Sequence, residues 1–369
     1  MQLLRRCFFV IIGMCYFYSP LHATERTTGP FKCSQARDYW LGFPHGYDEK
    51  KTYWLVVAVH GAGGNGDSMK GYSFPGPRDD YIVVAPSFPD GKQEGYYQLL
   101  QGNSDVQLIK LFQELKGKYR LHDQLFLYGF SGGSQYSHRF TMTHPAIVVG
   151  CSAHSGGSWG PEINKKAMGI PLFFSCGLDD TSPSVPGALP RIEEAEKYFT
   201  QIQASGMLAK QRYWQGIEHS PGPQGGKVTI GLLTAECYEL ATTGLFPKQR
   251  QAWDEERKKF EGLIAQGSIE EAKKFLRTLQ KYKFPMPGPK IPTWISLNPQ
   301  QQVEQRKIFI EMGIGGKSKL GRDFWINDSN ENEYGWNESP GSRAAQSQGQ
   351  RSIYIRNELK VMQEMLPKK

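Results

Sequence analysis

The segment Gly129-Phe130-Ser131-Gly132-Gly133 sets a serine between glycines directly after an apolar run. A serine in the pattern G-x-S-x-G can sit at a sharp strand-to-helix turn, with its hydroxyl lifted clear of the chain as a nucleophile. The flanking glycines leave room for that turn, and the Gly132 N–H would face a developing oxyanion. Gly156-Gly157-Ser158-Trp159-Gly160 fits the same pattern. Ser158, however, comes several residues after its expected strand and is followed by Pro161, with no helix in register. Ser131 is therefore the expected nucleophile. His60-Gly61-Ala62-Gly63-Gly64 follows another apolar run, and its small residues let the main chain close around a carbonyl. Ala62 is the expected second oxyanion donor, with Gly63 as the alternative, and His60 is expected to brace this loop. Nucleophile, acid and base follow one another in that order along such a chain. Among the eight histidines, His219 alone lies beyond the expected acid. His138 is expected to face outward from its helix, His144 to be structural, and His154 to line the pocket. The acid belongs in Gly177-Leu178-Asp179-Asp180, where either carboxylate can serve.

The elements that would carry these residues alternate between short apolar runs and amphipathic stretches from Asp38 to about Phe246. That alternation predicts an α/β fold, a doubly wound and mostly parallel sheet. Strands are expected at Tyr53–His60, Tyr81–Phe88, Gln124–Phe130, Ala146–Ala153, Pro171–Cys176 and Lys210–Gln215. Helices are expected at Asp105–Tyr119, Ser134–His144, Leu189–Gln203 and Gly226–Thr242. Only 17 residues separate Ala153 from Pro171, too few for a large helical lid. Trp159, Tyr72, Phe74 and Trp214 could form a stacking surface, though packing is the more common use of such residues.

The ends of the chain differ from this middle. Arg5 and Arg6 precede the apolar run Cys7–Tyr18, and Leu21-His22-Ala23 offers a cleavage point, so residues 1–23 read as a secretory signal. The expectation is a secreted or periplasmic protein, cleaved after Ala23, without stable membrane insertion. Cys33, Cys151, Cys176 and Cys237 would remain, allowing three disulfide pairings or free thiols. Residues 24–247, the expected catalytic domain, carry 20 Lys+Arg against 21 Asp+Glu, whereas residues 248–369 carry 22 against 15. With two arginines in residues 1–23, the basic excess of the chain thus lies mainly in a C-terminal, mainly helical and irregular extension, whose balance is +7 and which could touch anionic surfaces. Within it, Gln251–Lys281 suggests two helices broken at Gly267-Ser268, Val303–Met312 a short helix, and Asn327–Gln350 loop or disorder.

The stretch from Tyr39 to His219, about half the chain, resembles the secreted α/β-hydrolases related to polyhydroxybutyrate depolymerases and feruloyl esterases. The resemblance rests on WLGFPHGYDEKKTYWLVVAVHGAGG, GFSGGSQYSHRFTMTHP, GLDD and GIEH. It implies an α/β-hydrolase fold and a serine carboxylic ester hydrolase working through Ser131, Asp180 and His219, with Asp180 preferred as the fourth residue of G-x-x-D. Small or polymeric esters are the implied substrates, and neither a metal nor an organic cofactor is called for. Depolymerases of this kind usually carry alanine after the serine, where this chain has Gly132. A prolyl-oligopeptidase-type peptidase is the alternative enzyme; an inactive hydrolase fold binding envelope or glycan surfaces is the alternative of another class. Nucleic-acid binding is not expected.

Overall fold

The computed structural model describes residues 24–35, 37–72, 78–91, 95–160, 162–205, 207–214, 217–220, 226–245, 247–282, 300, 315–317, 323–325 and 343–367. The expected signal at 1–23 and the expected short helix at 303–312 lie outside them.

Eight strands form the central sheet: β1 (Thr24–Lys32), β2 (Asp38–Pro44), β3 (Tyr53–Val59), β4 (Tyr81–Pro86), β5 (Leu121–Phe130), β6 (Val148–His154), β7 (Leu172–Gly177) and β8 (Ala209–Trp214). Their spatial order is β1-β2-β4-β3-β5-β6-β7-β8. From β4 through β8 every neighbouring pair is parallel, while β2 runs antiparallel to both β1 and β4. This is the sheet of an α/β-hydrolase fold. The β1–β2 hairpin edge is the part the sequence pattern does not announce: β2 is a seven-residue run broken by Gly42, and β1 is largely polar.

Among the described residues, seven helices of two or more turns surround or extend the sheet: α1 (Ser104–Lys118), α2 (Gly132–Thr143), α3 (Arg191–Ser205), α4 (Gly226–Thr243), α5 (Pro247–Ala265), α6 (Ile269–Leu279) and α7 (Arg343–Glu364). The inner strands are apolar at nearly every position because both faces are covered. Alternation along β3 shows the division. Leu55, Val57 and Val59 join a core built with α1, α2 and α3, whereas Val56 and Ala58 face a second core built with α4. In α1, Leu108, Leu111, Phe112 and Leu115 recur at helical spacing and are buried on one face.

A separate apolar cluster joins Trp253 and Phe260 of α5, Ala272, Leu276 and Leu279 of α6, and Met362 and Leu366 at the end of α7. The break between α5 and α6 falls at Gly267, whose φ of 74° is left-handed and suits glycine. Residues 343–350, expected as loop or disorder, are instead the first turns of α7. Their Asn/Ser/Gln-rich neighbours hide a helix whose apolar positions (Tyr354, Ile355, Leu359, Met362) begin only beyond residue 350. Glu239 of α4 ties this region to the sheet through Arg78 at 2.6 Å and Arg250 at 3.8 Å. Among the described residues, no helix is long and apolar enough to cross a membrane.

The four cysteines among the described residues, Cys33, Cys151, Cys176 and Cys237, are buried free thiols. Cys237 donates to the Cys151 carbonyl at 3.3 Å, and burial pushes the Cys151 thiol up to about 12.

Candidate active site

The tight turn at the end of β5 is built from what glycine lacks. A Cβ on Gly129 would overlap the Gly133 carbonyl, and one on Gly133 would overlap the Val59 carbonyl of β3. Between them Ser131 holds φ 55° and ψ −117°, a strained conformation for a residue with a side chain. Two backbone bonds fix it: the Ser131 N–H donates to the His154 carbonyl at 2.9 Å, and the Gln135 N–H to the Ser131 carbonyl at 3.2 Å. The serine is thus bound between β6 and the first turn of α2.

Opposite it stands the loop after β3. The Gly64 N–H closes a turn onto the Gly61 carbonyl at 3.0 Å, and Gly63 takes a φ of 73°. His60 is fully buried and braces the loop as expected. Its Nδ1 lies 2.8 Å from the Gly61 carbonyl, and its Nε2 accepts from the Phe88 N–H at 3.0 Å, which makes Nδ1 the protonated nitrogen. The Tyr97 hydroxyl donates to the His60 carbonyl at 2.6 Å. Ala62 therefore arrives on a fixed backbone. A Cβ on Gly132 would lie 2.7 Å from the Ala62 nitrogen and 3.0 Å from the Tyr97 hydroxyl. The departure from alanine after the serine has its physical reason here, because this narrow gap excludes a methyl group. The backbone nitrogen of Ala62 thus meets the residue after the nucleophile, and a Cβ on neighbouring Gly61 would lie 3.6 Å from the Ser131 Cβ.

His219 sits on the loop that follows β8. Its Nε2 is 2.9 Å from Ser131 Oγ, and its Nδ1 is 2.9 Å from Asp180 Oδ2. Asp180 is 1% exposed and His219 32% exposed. The loop reaches this position because Gly177 ends β7 without a side chain: a Cβ there would overlap the Ile217 and Glu218 carbonyls. The Asp179 N–H donates to the Ile217 carbonyl at 2.9 Å, and the Leu178 N–H to the Trp214 carbonyl at 2.9 Å. The two adjacent acids thus divide their work. Asp180 turns its carboxylate to the imidazole, and Asp179 uses its backbone to pin the histidine loop.

The remaining expectations fare differently. Ser158 lies outside any elbow and accepts from Arg139 Nη2 at 3.1 Å. His144 is structural, paired with Asp105 at 2.8 Å. His138 does not face outward. It is fully buried: its Nδ1 donates to the Ser134 carbonyl at 2.8 Å and its Nε2 accepts from the Gly160 N–H at 3.2 Å, because the loop after β6 folds over that side of α2. His154 does not line a pocket either. It points into the sheet's interior against Ser152, Ser175 and Thr234, at 2.7–3.0 Å. The aromatic residues take the packing role. Trp159 stacks on Tyr198 and tilts against Phe174, Tyr72 stacks on Tyr128, and Trp214 packs on the α4-side core. Phe74 lies outside the described residues.

The two buried histidines carry a consequence for stability. Burial pulls both to about 3, with the neighbouring Arg139 adding to the effect on His138. In the unfolded chain each returns to its ordinary value of 6.5. The unfolded state therefore binds two protons that the native state refuses as pH falls from 6.5 toward 3. Native stability is lost through that window, by up to about 1.4 kcal/mol per pH unit for each histidine. Urea midpoints measured between pH 7 and 5 are expected to fall steadily. A midpoint flat across that range would contradict the burial of these rings.

Arg191 and Arg139 flank the same region and are not singled out by any sequence motif. Arg191 Nη1 stands 3.6 Å from Asp180 Oδ1. Arg139 donates to the Gln98, Gln135 and Ser158 carbonyls, and burial lowers its guanidinium to about 10.

No protein-family model matches the chain, and no curated protein matches it. Similar solved structures include a thermostable esterase, 20% identical with a TM-score of 0.44 over 57% of this chain and 60% of that one. This chain thus spans less than two thirds of that esterase. Others are a ferulic acid esterase from Anaeromyces mucronatus (16%, TM-score 0.45, 56% of this chain and 87% of that one) and a poly(3-hydroxybutyrate) depolymerase from Bordetella parapertussis (19%, TM-score 0.45, 58% and 86%).

Proposed function

We propose that this chain is an exported serine hydrolase that cleaves carboxylic esters through an acyl-enzyme. The observation that carries the reading is the unbroken relay from Ser131 Oγ to His219 Nε2 and from His219 Nδ1 to Asp180, at 2.9 Å in each step. The buried carboxylate fixes the tautomer with the proton on Nδ1, so Nε2 is free to accept from the serine hydroxyl. As Ser131 Oγ attacks the ester carbonyl, its proton passes to His219 Nε2. The tetrahedral oxyanion is held by the N–H groups of Gly132 and Ala62, a contribution of about 3–4 kcal/mol per donor. Collapse expels the alcohol, which takes the proton from His219. Water then attacks the acyl-serine with His219 again as base, releasing the acid and restoring the hydroxyl. The motifs shared with depolymerases and feruloyl esterases favour an ester over an amide, and the short β6–β7 connection favours a bulky or polymeric one. The division into a catalytic part and a basic extension at residue 247, with the extension meeting anionic surfaces, belongs to the same proposal.

The test combines p-nitrophenyl and feruloyl esters, a soluble polyester and peptidyl amides with labelling by a fluorophosphonate. Ester turnover, together with labelling lost in Ser131→Ala, is the expected outcome. Amides cleaved as fast as esters would turn the reading to a peptidase. A wild-type chain that neither labels nor turns over any of them would leave a binding module.

A further inference from the structure

The acid of the relay is less well provided for than its depth requires. Asp180 Oδ2 accepts from His219, with the Cys176 thiol 4.0 Å from the same oxygen. Asp180 Oδ1 is enclosed and accepts no hydrogen bond among the described residues. A buried oxygen left without a hydrogen-bond donor is costly. Arg191 supplies a full positive charge 3.6 Å from that second oxygen, with its side chain 17% exposed.

Its place is set by the fold rather than by a long, free side chain. Arg191 is the first residue of α3, and the segment between it and Asp180 doubles back through a Pro183–Pro190 bridge. Its backbone N–H and its Nη1 both donate to the Ser182 carbonyl, at 3.3 and 3.0 Å, and the Ile192 N–H donates to the Asp180 carbonyl at 3.2 Å. On the far side the guanidinium lies against Gly157, where a Cβ would come within 3.2 Å of Nε and 2.6 Å of the Gln135 amide. Gly157 leaves the space the guanidinium occupies.

We propose that Arg191 is a positioning residue of the relay, holding the Asp180 side chain so that Oδ2 stays turned to His219. The inference rests on the hydrolase reading for its catalytic consequence, though not for the contact itself. When His219 becomes an imidazolium, Asp180 lies between two cations, and Arg191 keeps the carboxylate from swinging away in the intervals when the ring is neutral. Arg191 touches no reacting atom.

The full chain is compared with Arg191→Met, Arg191→Lys and Arg191→Ala on p-nitrophenyl acetate. In Arg191→Met, kcat is expected to fall on the order of 100-fold with KM nearly unchanged, the effect of a small misplacement of the base. Arg191→Lys should recover part of the loss, and ethylguanidinium added to Arg191→Ala should restore more. The downfield proton resonance of His219 Nδ1–H reads the Asp180 contact without catalysis, and it should shift or vanish in Arg191→Met. A wild-type kcat together with an unmoved resonance in Arg191→Met would overturn the proposal. So would a loss that follows the melting temperature and answers to neither lysine nor ethylguanidinium. A wild-type chain inert toward esters whose resonance still moves in Arg191→Met would sink the hydrolase reading and leave the positioning role standing.

Discussion

Replacing Ser131 or His219 by alanine is expected to lower kcat on p-nitrophenyl esters by about 10⁴- to 10⁶-fold while leaving KM within a few-fold. Each residue is useless without the other: the hydroxyl is a poor nucleophile until Nε2, 2.9 Å away, accepts its proton. The double variant should therefore be no slower than the worse single variant. A residual rate above water is expected in all three, because the Gly132 and Ala62 amides remain in place. Additive losses would mean that the two side chains act in separate steps, and the relay as drawn would be wrong. Thermal midpoints should move little for His219→Ala, since its ring is partly exposed on a loop.

The second large effect concerns a residue with no side chain. Gly177→Val is expected to lower both stability and activity. The added carbons fall on the Ile217 and Glu218 carbonyls, and backbone atoms on both sides have nowhere to retreat. Overpacking of this kind costs about 1–3 kcal/mol or more, and a displaced histidine loop should cost on the order of 100-fold in kcat. Gly262→Ala serves as the control. It lies in α5 with nothing within 4 Å of a Cβ, so its melting temperature and kcat should match or slightly exceed those of the parent. Full activity in Gly177→Val would show that the loop carrying His219 is not held by this close approach.

Much of this architecture is legible in the chain itself. The parallel strands announce themselves because they are buried on both faces and so are apolar throughout, as in Tyr53–Val59. The elbow is equally legible, since Gly129 and Gly133 are demanded by carbonyls that come too close for any other residue. What escaped has identifiable causes. In the β1–β2 edge, β1 is polar and mostly exposed, so no apolar run marks it, and the buried run of β2 is short and broken by Gly42. His138 looks like an outward helix position because α2 is covered on more than one side: by the sheet, and by the loop that brings Gly160 onto the imidazole. His154 ends a strand, yet Ser175 on β7 and Thr234 on α4 enclose it, and neither partner is visible from local sequence. Arg191 is eleven positions from Asp180 and belongs to no motif; only the doubling back of the intervening segment brings it to the carboxylate. Long-range closure of this sort is what periodicity cannot report.

The bridge at Glu239 bears on any attempt to reduce this chain to a minimal core. Trimming the polypeptide after residue 247 would strip Arg250 from Glu239 and leave that carboxylate paired with Arg78. The same cut would bare the flank of α4 on which α7 lies, and α4 is the helix reached directly from the loop of His219. A shortened version would therefore need new polar residues on α4, or a substitute helix, before its turnover could be compared fairly with that of the parent.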